Sequence, residues 1–223
     1  MRCLCVVVFQ LLAASLQAAG AEQVAPGIFR IGELTVNQKE RLITFPAKLN
    51  MTNGLLEYAL VHKDGKVHES VLVCETKPHE IHAAMLLLGT APTNLAENAE
   101  AGGQIEHPAD IVPKGMPVEI LVSWRTGGKV VRQPLAALIF NKKTKAEMEA
   151  QPWVYNGSRF SQGRFLAELS GSIVSFITDL DALVNNTSAG HNDDTIWEVN
   201  PRTVPPQGTR VDVSFRIPVA KKH

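Results

Sequence analysis

Apolar and polar residues alternate along several stretches of the chain. Ile43, Phe45, Ala47, Leu49 and Met51 are interleaved with Thr44, Pro46, Lys48 and Asn50, the period of two that marks a strand. Asn53-Gly54 follows, a strong signal for a two-residue hairpin turn. Residues 55–62 read as a second strand, Asp64-Gly65 as another tight turn, and residues 66–73 as a third strand. The expected product is a three-stranded antiparallel meander. Two-residue turns fix its register, pairing Leu49 with Tyr58 and Leu60 with Glu69. That register sets Glu69 among Phe45, Leu49, Tyr58, Leu60 and Val71 on the core face, with His68 and Ser70 on the other side. Pro46 has no N–H for a ladder, so its strand is expected at an edge or a bulge.

Pro78 opens a helix at the position where proline is best tolerated, and Gly89 ends it. At 100° per residue Ile81, Met85 and Leu88 form one stripe and His79, His82, Ala83 and Leu86 the opposite one. Both sides are apolar enough to predict a largely buried helix. Residues 90–115 lack a period and read as a long loop with a short helix at 96–101. Residues 117–124 and 129–133 form a hairpin around Gly127-Gly128. A helix is predicted over 136–148, short strands at 153–155, 165–169 and 173–177, a helical turn at 179–184 and a closing strand at 211–217. Strands and helices are grouped rather than alternating, so the class is α+β: an antiparallel meander and hairpins with a buried helix packed on the sheet, in a single domain.

Composition changes the picture at the amino terminus. Arg2 is followed by a mostly apolar run from Val6 to Leu16 and by the small residues Ala19-Gly20-Ala21, the pattern of a secretory signal peptide over residues 1–21. The run is shorter than the ~20 residues a spanning helix needs, so no transmembrane segment is expected once the signal is removed. The mature domain, residues 22–223, is expected to be exported, to the periplasm or the medium. It keeps one cysteine, Cys74, so no disulfide can form within it. The whole chain balances 22 basic against 22 acidic residues, and no basic stripe argues for nucleic acid.

Glu69 is the sharpest chemical lead, a candidate catalytic residue, because a carboxylate on an apolar face must be paired or neutralised and burial raises its pKa. His79 and His82, three apart on one helix, are candidate metal ligands. With Glu69 they would form a two-histidine, one-carboxylate site, for which zinc suits the ligand types. Structural alternatives stand beside each reading: Glu69 as a hydrogen-bonded anchor and the histidines as packed residues at a helix start. Cys74 reads as a small apolar residue. His68 and Ser70 are candidate binding residues, as are Trp153, Tyr155 and Trp197, which could stack on a ligand or fill the core. Asp179, Asp181, Asn185 and Asn186 offer oxygen ligands, but Asx-turns and caps explain them more simply.

Five segments are distinctive: residues 65–72, the run His79-x-x-His82-x-x-Met85-Leu86-Leu87-Leu88-Gly89, Trp153-Val154-Tyr155-Asn156-Gly157-Ser158, residues 194–201, and Pro205-Pro206-x-Gly208-Thr209. Together they resemble the YdjY-type family of exported bacterial proteins, from about Phe45 to Pro218. The resemblance implies an exported bacterial domain and carries no established reaction. Some relatives bear cysteine-rich, ferredoxin-like segments; this chain lacks those cysteines, so no iron–sulfur cluster carries over. Three functions remain open: a module that binds a small ligand or an envelope protein, a metal-dependent, hydrolase-like enzyme using Glu69 with His79 and His82, and a purely structural component of the envelope.

Overall fold

The computed structural model describes residues 20–93, 111–149 and 152–219. Residues 1–19 of the expected signal peptide and the expected short helix at 96–101 lie outside the described residues. The strands are β1 (Ala21–Ala25), β2 (Ile28–Ile31), β3 (Leu34–Asn37), β4 (Leu42–Leu49), β5 (Tyr58–His62), β6 (Ser70–Cys74), β7 (Met116–Thr126), β8 (Lys129–Pro134), β9 (Ile139–Asn141), β10 (Ala146–Glu147), β11 (Trp153–Tyr155), β12 (Phe160–Ser161), β13 (Arg164–Phe165), β14 (Ser172–Ser175), β15 (Val184–Asn186), β16 (Trp197–Val199) and β17 (Arg210–Arg216). The α-helices are α1 (Pro78–Leu87) and α2 (Leu166–Ser170).

Eight strands close on themselves in the order β4-β17-β7-β11-β15-β14-β5-β6, with β6 returning to β4. The protein is therefore a mostly β closed barrel, and the expected α+β class, with a buried helix on a sheet, is corrected. Closure follows from the long alternating strands. In β4 the odd positions Ile43, Phe45, Ala47 and Leu49 are buried. They lie beside Val211, Val213 and Phe215 of β17, which pair in turn with β7 around Ile120 and Val122. Phe45 and Phe215 meet edge to face, their centroids 5.4 Å apart. Burying each such side chain contributes roughly 1.5–3 kcal/mol, and a barrel leaves no free edges between its own strands. The β1-β2-β3 meander extends from the first half of β4, and β8 pairs with β7 through the expected Gly127-Gly128 turn. Both glycines have positive φ, as the tight turn requires.

The expected meander over residues 41–73 does not form. β4 pairs with β3, β17 and β6, and β5 runs parallel to β6 with Tyr58 opposite Ser70. Asn53-Gly54 sits in a wider loop because other partners claim its flanks: Leu56 N–H donates to Trp197 O and Leu55 bridges to Glu198. Asn50 Nδ2 donates to the carbonyls of Val67 and Ser70, drawing β6 to β4. After Asp64-Gly65 the chain makes a 3₁₀ turn, Val67–Glu69, before β6 begins at Ser70. That turn removes Glu69 from the predicted strand register. The reversal brings Gly65 against Gly171, where a Cβ on Gly171 would lie 2.6 Å from Gly65 Cα.

Helix α1 begins and ends as expected, with Glu80 Oε2 accepting from Lys77 N–H at 2.9 Å and Gly89 at φ 76°. It is buried on one face only: Ile81, Ala84, Met85 and Leu88 are covered, while His79 and Leu86 are exposed. The predicted helix over 136–148 is a 3₁₀ turn, Leu135–Leu138, followed by β9 and β10. Asn141 Oδ1 accepts from the N–H groups of Lys143 and Thr144, which turns the chain instead of continuing a helix. The predicted strand over 165–169 is the end of β13 and helix α2. The predicted helical turn at 179–184 is one hydrogen-bonded turn, from Ala182 N–H to Asp179 O.

Candidate functional site

A polar part of the barrel wall lies where β14 crosses to its parallel neighbour β15. The connection, residues 176–183, is held down at both ends: Phe176 N–H donates to Glu57 O, and Leu183 O accepts from Asn156 and Gly157 N–H. Asn185, fully buried, ties the middle. Its Oδ1 accepts from Asp179 N–H at 2.8 Å, and its Nδ2 donates to Asp179 O and to Asn156 Oδ1, each at 3.0 Å. Asp179 Oδ1 caps its own turn by accepting from Asp181 N–H. These are the Asx contacts expected from the sequence, here buried and joined into one network.

Tyr58, at the start of β5, donates to Asp179 Oδ2 at 3.0 Å. Burial first, and the Asp179 charge second, push its phenol well above the ordinary range. Lys66 Nζ stands 5.1 Å above the Tyr58 ring and donates to Glu57 Oε2 at 3.1 Å. Burial favours its neutral form, yet Tyr58 and Glu57 outweigh that and hold it charged. From the far side, Arg159 Nε donates to Asp181 Oδ1 at 2.8 Å. Arg159 is positioned by Ser158, a non-glycine residue at φ 60°. Such a conformation costs on the order of 1 kcal/mol and is secured by Ser158 Oγ, which donates to Asp181 O and accepts from Ala167 N–H. Tyr58, Arg159, Thr178, Asp179 and Asp181 line an open cavity of ≈ 270 Å³.

Sequence-based candidates fall in several places. Glu69 is not on the core face: its side chain is 22% exposed and pairs with Lys66 at 3.6 Å and with His68 at 3.4 Å. Through Lys66 it reaches the rim of this well. His68 is exposed, and Ser70 is buried with its hydroxyl donating to Leu72 O. Trp153, Tyr155 and Trp197 are buried in the core, so none offers a stacking platform to solvent. Trp197 Nε1 donates to Gly190 O, and Phe176 packs between the two tryptophans. His79 pairs with Glu168 at 2.9 Å, whereas His82 meets Tyr155 Oη at 2.8 Å and the Phe165 ring. Burial lowers the His82 pKa. The two histidines and Glu69 thus have separate partners. Among the described residues no group of three or more His, Cys, Asp or Glu could hold a metal ion, so the shared zinc arrangement is not formed. Cys74 is buried, donates to Thr76 O, and has its thiol pushed up to about 12 by that burial.

Four members of the well were visible but assigned other uses: Tyr58 as a core residue, and Asp179, Asp181 and Asn185 as turn residues. A buried tyrosine needs a hydroxyl partner, which was the available signal. Nothing local marked Arg159.

No curated protein and no solved structure matches the chain significantly. A family model does match: that of the YdjY domain, over residues 34–216. Those bounds run from the first residue of β3 to the last of β17 and take in the whole closed barrel and the well. The chain belongs to the YdjY domain family.

Proposed function

We propose that this protein is an exported, non-catalytic binding module of the bacterial cell envelope, and that the β14–β15 well takes a small polar ligand. One observation carries the reading. Arg159 and Asp181 fix one another through Nε and Oδ1, leaving the terminal guanidinium nitrogens and the second carboxylate oxygen unspent by the described residues beside a cavity of ≈ 270 Å³. Groups already ordered before binding lose little entropy when a ligand arrives. A planar guanidinium and a carboxylate edge together suit a ligand with both acceptor and donor groups.

Tyr58 and Lys66 are both held protonated at neutral pH, so each is a hydrogen-bond donor beside the cavity. Export rests on the amino-terminal pattern of residues 1–21.

The test is a titration of the purified protein with amino acids, short peptides and sugars, followed by amide chemical shifts. Saturable shifts at residues 58, 159 and 178–181, lost in Arg159→Gln and Asp181→Asn, are expected. Saturable binding that leaves those residues unmoved, or turnover of a ligand at the well, sinks the proposal. Amino-terminal sequencing of the protein recovered outside the cytoplasm should begin at Glu22; an intact Met1 would remove the export assignment.

A further inference from the structure

At the opposite end of the β5–β6 pair the β4–β6 seam that closes the barrel is short. β6 joins β4 through two residue pairs only, Lys48 with Val73 and Leu49 with Leu72. β3 occupies the same side of β4 further back, and its pairing stops at Thr44. Between them lies Pro46. Leu49 N–H points to the β17 side, donating to Thr209 O, and Asn50 N–H points to the β6 side, donating to Val71 O. Alternation therefore directs the backbone polar groups of even-numbered β4 residues toward the seam. Past Lys48, the next even position is Pro46, which has no N–H to offer. Neither Glu75 beyond β6 nor Glu33 before β3 can extend its ladder past it.

A cavity of ≈ 250 Å³ opens at this gap. Its uncharged wall is Pro46, Ala47, Val73 and the buried thiol of Cys74. Its charged rim is Lys48, Lys63 and Arg210, against Glu33 and Glu75. Lys63 is taken up by Asp64 at 3.1 Å, and Lys48 lies 3.7 Å from a largely exposed Glu75. Arg210 has no carboxylate partner among the described residues. It is also the direct cross-strand partner of Lys48, and like charges placed opposite one another destabilise a strand pair. An anion between them would relieve that repulsion.

We propose that this seam cavity binds a small organic carboxylate, its charge between Lys48 and Arg210 and its apolar tail on Pro46, Ala47, Val73 and Cys74. The volume lies just below the ~300–1,000 Å³ of drug-sized pockets, which limits the tail to a short one. Glu33, on the rim without an ion-pair partner among the described residues, disfavours a second negative charge and selects monocarboxylates over dicarboxylates. The site is separate from the β14–β15 well and does not depend on it.

Hexanoate, acetate and 1-hexanol should be titrated into the purified protein and followed by amide chemical shifts. Hexanoate is expected to saturate with a Kd of about 1 mM or lower, moving residues 46–48, 73–75 and 210, with acetate and hexanol each at least about tenfold weaker. Arg210→Gln and Lys48→Gln should each weaken hexanoate about tenfold, the loss of a charge-assisted contact. Arg132→Gln, which removes the same charge from exposed β8, should change it less than about twofold. Hexanol binding as tightly as hexanoate, acetate as tightly as hexanoate, or Arg210→Gln and Arg132→Gln acting alike would overturn the assignment. Absence of saturation in a wild-type protein shown to be folded would do the same.

Discussion

The β14–β15 well and the β4–β6 seam both carry charged residues on the barrel wall, but they settle those charges differently. In the well Asp179, Asp181, Arg159, Tyr58 and Lys66 are joined by hydrogen bonds and ion pairs, and the buried Asn185 and Asn156 hold the backbone beneath them. In the seam Lys48 and Arg210 face one another across a strand pair with little compensation. The well's charges are part of what fixes the fold; the seam's are carried by a fold fixed elsewhere. Polar groups buried with partners are costly to disturb one at a time, whereas exposed like charges can be removed with little loss or a slight gain.

The strongest way to break the comparison is Asn185→Ala. It leaves Asp179 N–H and Asn156 Oδ1 without their partner and removes one of the two donors to Asp179 O, and should cost about 3 kcal/mol, lowering Tm by roughly 10 °C. A thermal melt within about 2 °C of wild type would show that the well is not structural. Tyr58→Phe removes one hydrogen bond to Asp179 and should cost about 1 kcal/mol, read from a urea melt with unchanged m-value.

A third prediction concerns pH. His82 supports Tyr155, next to Asn156, and its folded-state pKa is depressed by burial. Below about pH 6.5 the unfolded chain takes up the proton first, so stability present above that pH is lost as pH falls through the folded pKa. Tm should drop between pH 7.5 and 5, and His82→Gln should remove part of that slope. Burial also depresses His191, which contributes to the same slope; an unaltered slope in His82→Gln would exclude His82 as a contributor. The smallest effect is at the seam: Arg210→Gln should leave Tm unchanged or slightly raised at low salt, with the difference vanishing at 1 M salt.

Much of the local structure was legible from residues 43–49, 78–89, 124–131 and 211–217. Each has its own cause: alternation, a proline at a helix start, a glycine pair in a turn. Pro46 was expected at an edge strand or a bulge; instead β4 lies inside the sheet and Pro46 pairs in unbroken register with Asp212 of β17, its missing N–H being tolerated because it faces the gap between the β3 and β6 ladders. The well was much less legible. Tyr58 and Asp179 are 121 residues apart, and no period links them. Glu69 was misplaced because one 3₁₀ turn moved the start of β6 to Ser70, and a shift of that kind exchanges the faces of every following residue.

By itself the sequence determined which residues have to leave water and where the chain has to turn, because periodicity and turn chemistry act over a few residues. It did not determine which strand lies beside which. Ladder hydrogen bonds are the same for any pair of strands, and many of these strands offer a similar apolar face. Only the closed barrel, where all inward faces are buried at once, selects β5 beside β6 and β4 beside β17. That same closure brings Tyr58 to Asp179 and leaves Lys48 opposite Arg210.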